Sequence, residues 1–182
     1  MPGLSCREAI RQWEQKTGLS PAEAMEVNLM CELPNPIDRL DESVNVFPNC
    51  EKLSFSTNDI ERLVPMPKLV NLKILSMGRN KLRSLKHLDD VSATLEQLWV
   101  SYNQLDRLDN LGNMLKMHTL LISNNKIKNW DELKKLEACT ALKVVMFCGN
   151  PIYDRPKIAE NWPPLVKRVP HIDSIDGVMV SA

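Results

Sequence analysis

Apolar residues run through the middle of this chain alternately three and two positions apart, with an asparagine at the same place in every round. Cys50, Leu53, Phe55, Asn58 and Ile60 form one copy, and Leu72, Leu75, Met77, Asn80 and Leu82 the next. Leu95, Leu98, Val100, Asn103, Leu105 and then Met117, Leu120, Ile122, Asn125, Ile127 follow, before Leu142, Val145, Phe147, Asn150 and Ile152. Subtracting the asparagine numbers gives spacings of 22, 23, 22 and 25. The second and third apolar residues of each copy are two apart, which puts them on one face of a strand. The pattern predicts a short strand with its apolar side inward, ended by an asparagine where the backbone turns away.

Written out, the copies read L-x-x-L-x-L-x-x-N-x-L, the leucine-rich-repeat signature, at a period inside its 20–29-residue range. The expected fold class is α/β: a leucine-rich-repeat solenoid with a parallel concave sheet and about six repeats. The additional repeat is degenerate, with Val27 and Leu29 as strand residues and Pro34-Asn-Pro36-Ile37 in place of the asparagine region. Asn58, Asn80, Asn103, Asn125 and Asn150 are expected to form a structural ladder. Their amides satisfy backbone groups of neighbouring turns that burial would otherwise leave without partners.

A solenoid exposes core and strand edge at both ends, so caps are required. Ser5-Cys-Arg-Glu8 is a capping box opening a helix whose Ala9, Ile10 and Trp13 form one apolar stripe, and Gly18 stops it. Ser20-Pro21-Ala-Glu23 repeats the start signal. Val166, Val169, Ile172 and Ile175 suit a helical turn and a final half-repeat, punctuated by Pro156, Pro163, Pro164 and Pro170. Residues 1–182 thus read as a single leucine-rich-repeat domain: a helical cap over 1–23, repeats over 24–152 and a C-terminal cap over 153–182. Trp13 and Trp162 are expected in the caps, and Trp130 in the turn layer.

The strand positions between the inward residues face outward, and they carry the candidate function. They are Lys52, Ser54, Ser56; Ile74, Ser76, Gly78; Gln97, Trp99, Ser101; Thr119, Leu121, Ser123; and Val144, Met146, Cys148, with Asn28 and Met30 from the degenerate repeat. Lys52 is the only charge among the fifteen from regular repeats, in a chain that is 25% charged. Trp99, Leu121 and Met146 form an apolar ridge flanked by Ile74 and Val144. An apolar patch that the core does not need marks a protein interface. Met30, Ile74, Gln97, Trp99, Leu121, Val144 and Met146 are therefore the expected partner-binding residues, with Trp99 as anchor.

Composition narrows the reading. Basic and acidic residues number 23 each, so bulk attraction to nucleic acid or anionic membrane is not expected. No apolar stretch approaches the roughly 18 residues of a membrane span, and the N-terminus does not read as a signal peptide. Cys6, Cys31, Cys50, Cys139 and Cys148 are scattered without a C-x-x-C pair, which suits a reducing, intracellular setting. Lys126, Lys128, Lys134, Lys135 and Lys143, with Lys157, Lys167 and Arg168, suggest a basic strip along an outer rim. Its default role is a solvated face; its sharper one is contact with an acidic partner. Catalysis finds no support: His87, His118 and His171 make no metal-ligand motif, and no glycine-rich phosphate loop follows a strand. Asp89-Asp90 and Asp131-Glu132 suit helix starts. No enzyme, metal or cofactor is expected.

More specific strings are Leu53-Ser-Phe-Ser-Thr-Asn58, Ile74-Leu-Ser-Met-Gly-Arg-Asn80 and Leu95-Glu-Gln-Leu-Trp-Val-Ser-Tyr-Asn103. Ile122-Ser-Asn-Asn-Lys126, Gly149-Asn-Pro151, Lys167-Arg-Val-Pro170 and the opening helix from Arg7 to Gly18 extend the set. Together they resemble the leucine-rich-repeat light chains of outer-arm axonemal dynein over residues 5–178. The resemblance implies a non-catalytic subunit of cytoplasm, cytoskeleton and the axoneme of cilia or flagella. It implies a dynein heavy chain of the outer arm as partner, bound at the microtubule-binding tip of its stalk, with effects on motor engagement and beating. It also implies an association with tubulin or the microtubule, to which Lys126, Lys128, Lys143, Lys167 and Arg168 are the candidate contributors. The resemblance implies that family members commonly extend past the Asp-Gly segment into a charged tail, where this chain reads Val178-Met-Val-Ser-Ala182, so contacts made through such a tail are not carried over. The alternative is a regulatory scaffold of the phosphatase-regulator type, built on similar repeats.

Overall fold

The computed structural model describes residues 3–31, 35–155 and 157–180. Pro34 and Pro156, two of the expected turn signals, lie outside them. The chain opens with β1 (Leu4–Ser5), α1 (Cys6–Thr17), β2 (Glu26–Asn28) and β3 (Ile37–Arg39). The repeats then supply β4 (Lys52–Ser54), β5 (Ile74–Ser76), β6 (Gln97–Trp99), β7 (Thr119–Leu121) and β8 (Val144–Met146). The C-terminal end contains α2 (Pro163–Arg168), β9 (Ser174–Ile175) and β10 (Val178–Met179).

Eight strands form one sheet in the order β10-β9-β8-β7-β6-β5-β4-β2. All pairings from β2 to β9 are parallel, and β10 returns antiparallel. Leu53, Leu75, Leu98, Leu120 and Val145 stand in one register row, and each is buried. Their partners two residues on, Phe55, Met77, Val100, Ile122 and Phe147, are buried beside them. The architecture is a leucine-rich-repeat solenoid with a parallel sheet on one side and turns or short 3-10 helices closing each round.

The asparagines explain how three-residue strands hold register. Asn103 donates through Nδ2 to the carbonyls of Met77 (2.9 Å) and Val100 (3.0 Å), while its Oδ1 accepts from the Leu82 N–H (2.9 Å). Asn58, Asn80, Asn125 and Asn150 make the same three kinds of bond to their own and the preceding round. The residue before each asparagine is left-handed: Thr57, Arg79, Tyr102, Asn124 and Gly149 have φ between 54° and 75°. Four of these five are not glycine, so the amide network holds the chain where an L-residue is disfavoured by about 1–2 kcal/mol.

At the N-terminal end, Ser5 and Glu8 close the capping box and Gly18 stops α1 at φ 69°. Ser20–Glu23 makes one turn and goes no further. Trp13 is buried and meets Phe47 edge-to-face, with ring centroids 5.7 Å apart. The sequence reading had no counterpart for β1, which pairs parallel with β3 outside the main sheet.

At the other end Asp176 terminates the stack. In regular rounds the N–H groups leaving one strand donate to the next strand's carbonyls, as Ile122 does to Met146 (2.9 Å). At β8 the Asp176 carboxylate takes that role. Its Oδ1 accepts from the N–H groups of Phe147 (2.6 Å) and Cys148 (2.8 Å). Oδ2 accepts from the Tyr153 hydroxyl (2.9 Å) and the Trp162 indole N–H (3.1 Å). Trp130 stacks on Tyr153 at 6.4 Å, which ties the last turn layer to this cap.

Candidate functional site

Register fixes the outward face of the sheet. One row runs Lys52, Ile74, Gln97, Thr119, Val144, and the row two residues on runs Ser54, Ser76, Trp99, Leu121, Met146. Ile74, Gln97, Trp99, Leu121, Val144 and Met146 therefore share one patch across β5 to β8. All six are partly buried, since neighbouring side chains shield one another. Trp99 keeps exposed surface, yet its ring N–H is closed off and meets no acceptor among the described residues. A buried donor without a partner costs about 1–3 kcal/mol, which offsets part of what burying the ring contributes.

Met30 is not brought to this patch. It lies past the end of β2, half exposed, with β4 and β5 between its strand and that of Trp99. At about 4.8 Å per strand that separation is roughly 14 Å. The intervening strands present Ser54, Ser56, Ser76 and Gly78, a small-residue step beside the bulky ridge. Ser76 and Ser123, expected on the exposed face, are buried, and each hydroxyl is bonded to a neighbouring serine.

The border of the patch at the strand starts is charged and its side chains contact one another in pairs. Glu26 pairs with Lys52 (3.5 Å), Glu51 with Lys73 (2.8 Å), Glu96 with His118 (3.9 Å) and Lys143 with Asp173 (3.4 Å). The Glu51 carboxylate, bonded to Lys73, holds that ammonium above its ordinary range. Exposed pairs of this kind contribute little to stability, but the three lysine–carboxylate pairs cancel charge locally along the rim.

The basic residues do not make a single strip. Lys143 sits at a strand start against Asp173 and the His171 carbonyl. Lys126 and Lys128 lie past the strand exits; Lys126 donates to Gln104 (3.2 Å) and both are exposed. Lys134 pairs with Asp131 (2.9 Å), which lowers that carboxyl, and Lys135 pairs with Glu132 (2.6 Å). Burial pulls the Lys135 ammonium down, but its bonds to Asp109 and Glu132 outweigh that and raise it. Lys167 and Arg168 belong to α2, where Arg168 is partly buried 3.6 Å from Asp131. The Lys143–Asp173, Lys135–Asp109 and Arg168–Asp131 contacts join separate loops and are invisible in a linear charge pattern.

Among the described residues, no group of three or more His, Cys, Asp or Glu is placed to hold a metal ion. In the same residues no helix is long and apolar enough to cross a membrane. Burial pushes the Cys6, Cys50 and Cys139 thiols up to about 11, the opposite of what a nucleophile needs.

No family model matches the chain. Among solved structures, a leucine-rich-repeat protein of Leptospira interrogans superposes with a TM-score of 0.68 at 25% identity, covering 84% of this chain and 37% of that one. The human protein named dynein axonemal light chain 1 is 43% identical over 96% of this chain and 92% of its own length. The protein of the same name from Chlamydomonas reinhardtii is 39% identical over 96% of this chain and 89% of its own. Identity at this level over nearly the full length of both partners extends well beyond a shared repeat, and the chain belongs to the dynein axonemal light chain 1 family.

Proposed function

We propose that this chain is a light chain of outer-arm axonemal dynein that docks on the microtubule-binding tip of the heavy-chain stalk through its outward sheet face. Docking there modulates motor engagement with the microtubule, and with it ciliary or flagellar beating. The observation that supports the reading is the register-aligned patch of Ile74, Trp99, Leu121, Val144 and Met146. It is apolar, has one charged residue in the rows beside it, and includes an indole that keeps exposed surface. Aromatic anchors of this kind dominate interface energetics.

For tubulin we assign Lys126 and Lys128, which are exposed and have no acidic partner among the described residues. Lys143 and Arg168 already face Asp173 and Asp131.

Affinity capture from axonemal extract tests the reading, with the wild-type chain and Trp99→Ala as paired baits. A dynein heavy chain should dominate the wild-type capture and fall sharply with Trp99→Ala. A phosphatase catalytic subunit in its place would favour the regulatory-scaffold alternative.

A further inference from the structure

A second surface lies beyond the asparagine ladder, on the side of the molecule away from the sheet. The turns following Asn58 and Asn80 enclose a cleft of about 410 Å³ between the second and third rounds, lined by Glu61, Arg62, Leu63, Arg83, Ser84, Lys86 and His87. That volume is at the lower end of the roughly 300–1,000 Å³ of ligand-binding clefts. Arg62, Arg83 and Lys86 contribute three positive charges, and Glu61 opposes one of them. The chain as a whole is neutral, so this local excess is not a sample of the average surface.

The neighbouring cations are already engaged. Lys81 pairs with Asp59 at 3.0 Å, and the Arg79 guanidinium lies over the Tyr102 ring at 4.6 Å. Arg62, Arg83 and Lys86 have neither an ion pair nor a side-chain hydrogen bond among the described residues. The backbone shapes the cleft around them. Ser84 Oγ accepts from the Lys86 N–H at 3.0 Å, and His87 is held left-handed at φ 73° before the 3-10 helix Leu88–Val91. Leu63 is buried and gives the cleft an apolar floor.

We propose that this cleft binds an acidic peptide segment of a partner protein. Guanidinium forks pair with carboxylates in a bidentate way that lysine alone does not match. Glu61 favours a peptide over a dense phosphate dianion, because a peptide brings backbone N–H groups that a carboxylate accepts. The apolar floor suits the methylene stems of Glu side chains. The Asn58 and Asn80 layer separates the cleft from the sheet face, so both can be occupied together.

The test is a fluorescence-anisotropy titration of the full chain with a labelled deca-glutamate peptide, alongside deca-glutamine and a singly phosphorylated neutral peptide. Arg62→Gln/Arg83→Gln should weaken deca-glutamate binding at least tenfold. Lys68→Gln/Lys116→Gln, which removes the same charge from the loops before the strands, should change it less than twofold. Lys86→Gln, on an exposed turn, gives the same readout with little risk to the fold. Equal losses in the two double variants would reduce the effect to bulk charge and overturn the proposal. Binding of the phosphorylated peptide alone, or of none, would overturn it as well. None of these outcomes depends on Trp99.

Discussion

A buried amide is the smallest unit on which this fold depends. Asn103 satisfies two carbonyls and one N–H, all buried, from two successive rounds. Asn103→Ala leaves those groups without partners and should cost about 1–3 kcal/mol. Urea unfolding against an exposed Lys128→Ala control measures it, and equal midpoints would contradict the role. The cysteines give a second residue-scale prediction. Burial raises the Cys6, Cys50 and Cys139 thiols from 9.0 to about 11. The folded chain then keeps its thiol protons to higher pH than the unfolded chain. The stability that follows is complete below about pH 9 and is lost as pH rises through about 11. Denaturation midpoints should fall over that window, and fall less in Cys6→Ala/Cys139→Ala. A parallel fall in both proteins would assign the effect to other groups.

Among the elements, the strands were legible in the sequence and the ends less so. A strand of three residues carries almost no periodicity alone; five copies at a fixed interval supply it, with the asparagine marking each exit. The outward column Trp99, Leu121, Met146 followed from that register. Leu4–Ser5 as a strand did not, because two residues have no period to read. Met30 was read as part of the docking face, but its strand stands at the sheet's edge, beyond the serines of β4 and β5. The capping role of Asp176 was hidden too, since it replaces a backbone carbonyl from outside the repeat pattern. Asp176→Ala removes the acceptor for two N–H groups, one hydroxyl and one indole N–H. Hydrogen bonds to a charged group contribute about 1.5–3 kcal/mol, so the variant should lose at least that much and frays from β8 outward. Amide exchange at Phe147 and Cys148 should accelerate while that at Leu53 and Leu75 stays slow. Uniform acceleration through the sheet would contradict a local cap.

Taken whole, the molecule buries one apolar face of β2 and of the repeat strands β4 to β8 and leaves the other for use. As a member of a light-chain family built on this fold, it is a non-catalytic component and not an enzyme. Of the basic residues expected to form a strip, Lys135, Lys143 and Arg168 meet acidic residues from other loops and Lys134 and Lys157 pair three residues away, while Lys126 and Lys128 stay exposed. Among the described residues, the ridge on the sheet and, behind the asparagine layer, the cleft at Arg62 and Arg83 are left without partners in the chain itself, and the Lys126 and Lys128 ammonium groups without acidic ones. The ridge carries the main claim. Its most direct test is calorimetric titration of purified stalk-tip fragment into the wild-type chain and into Trp99→Ala. The account predicts a loss of about 2 kcal/mol, near 30-fold in Kd, with an unchanged melting temperature; equal affinity for both proteins would contradict it.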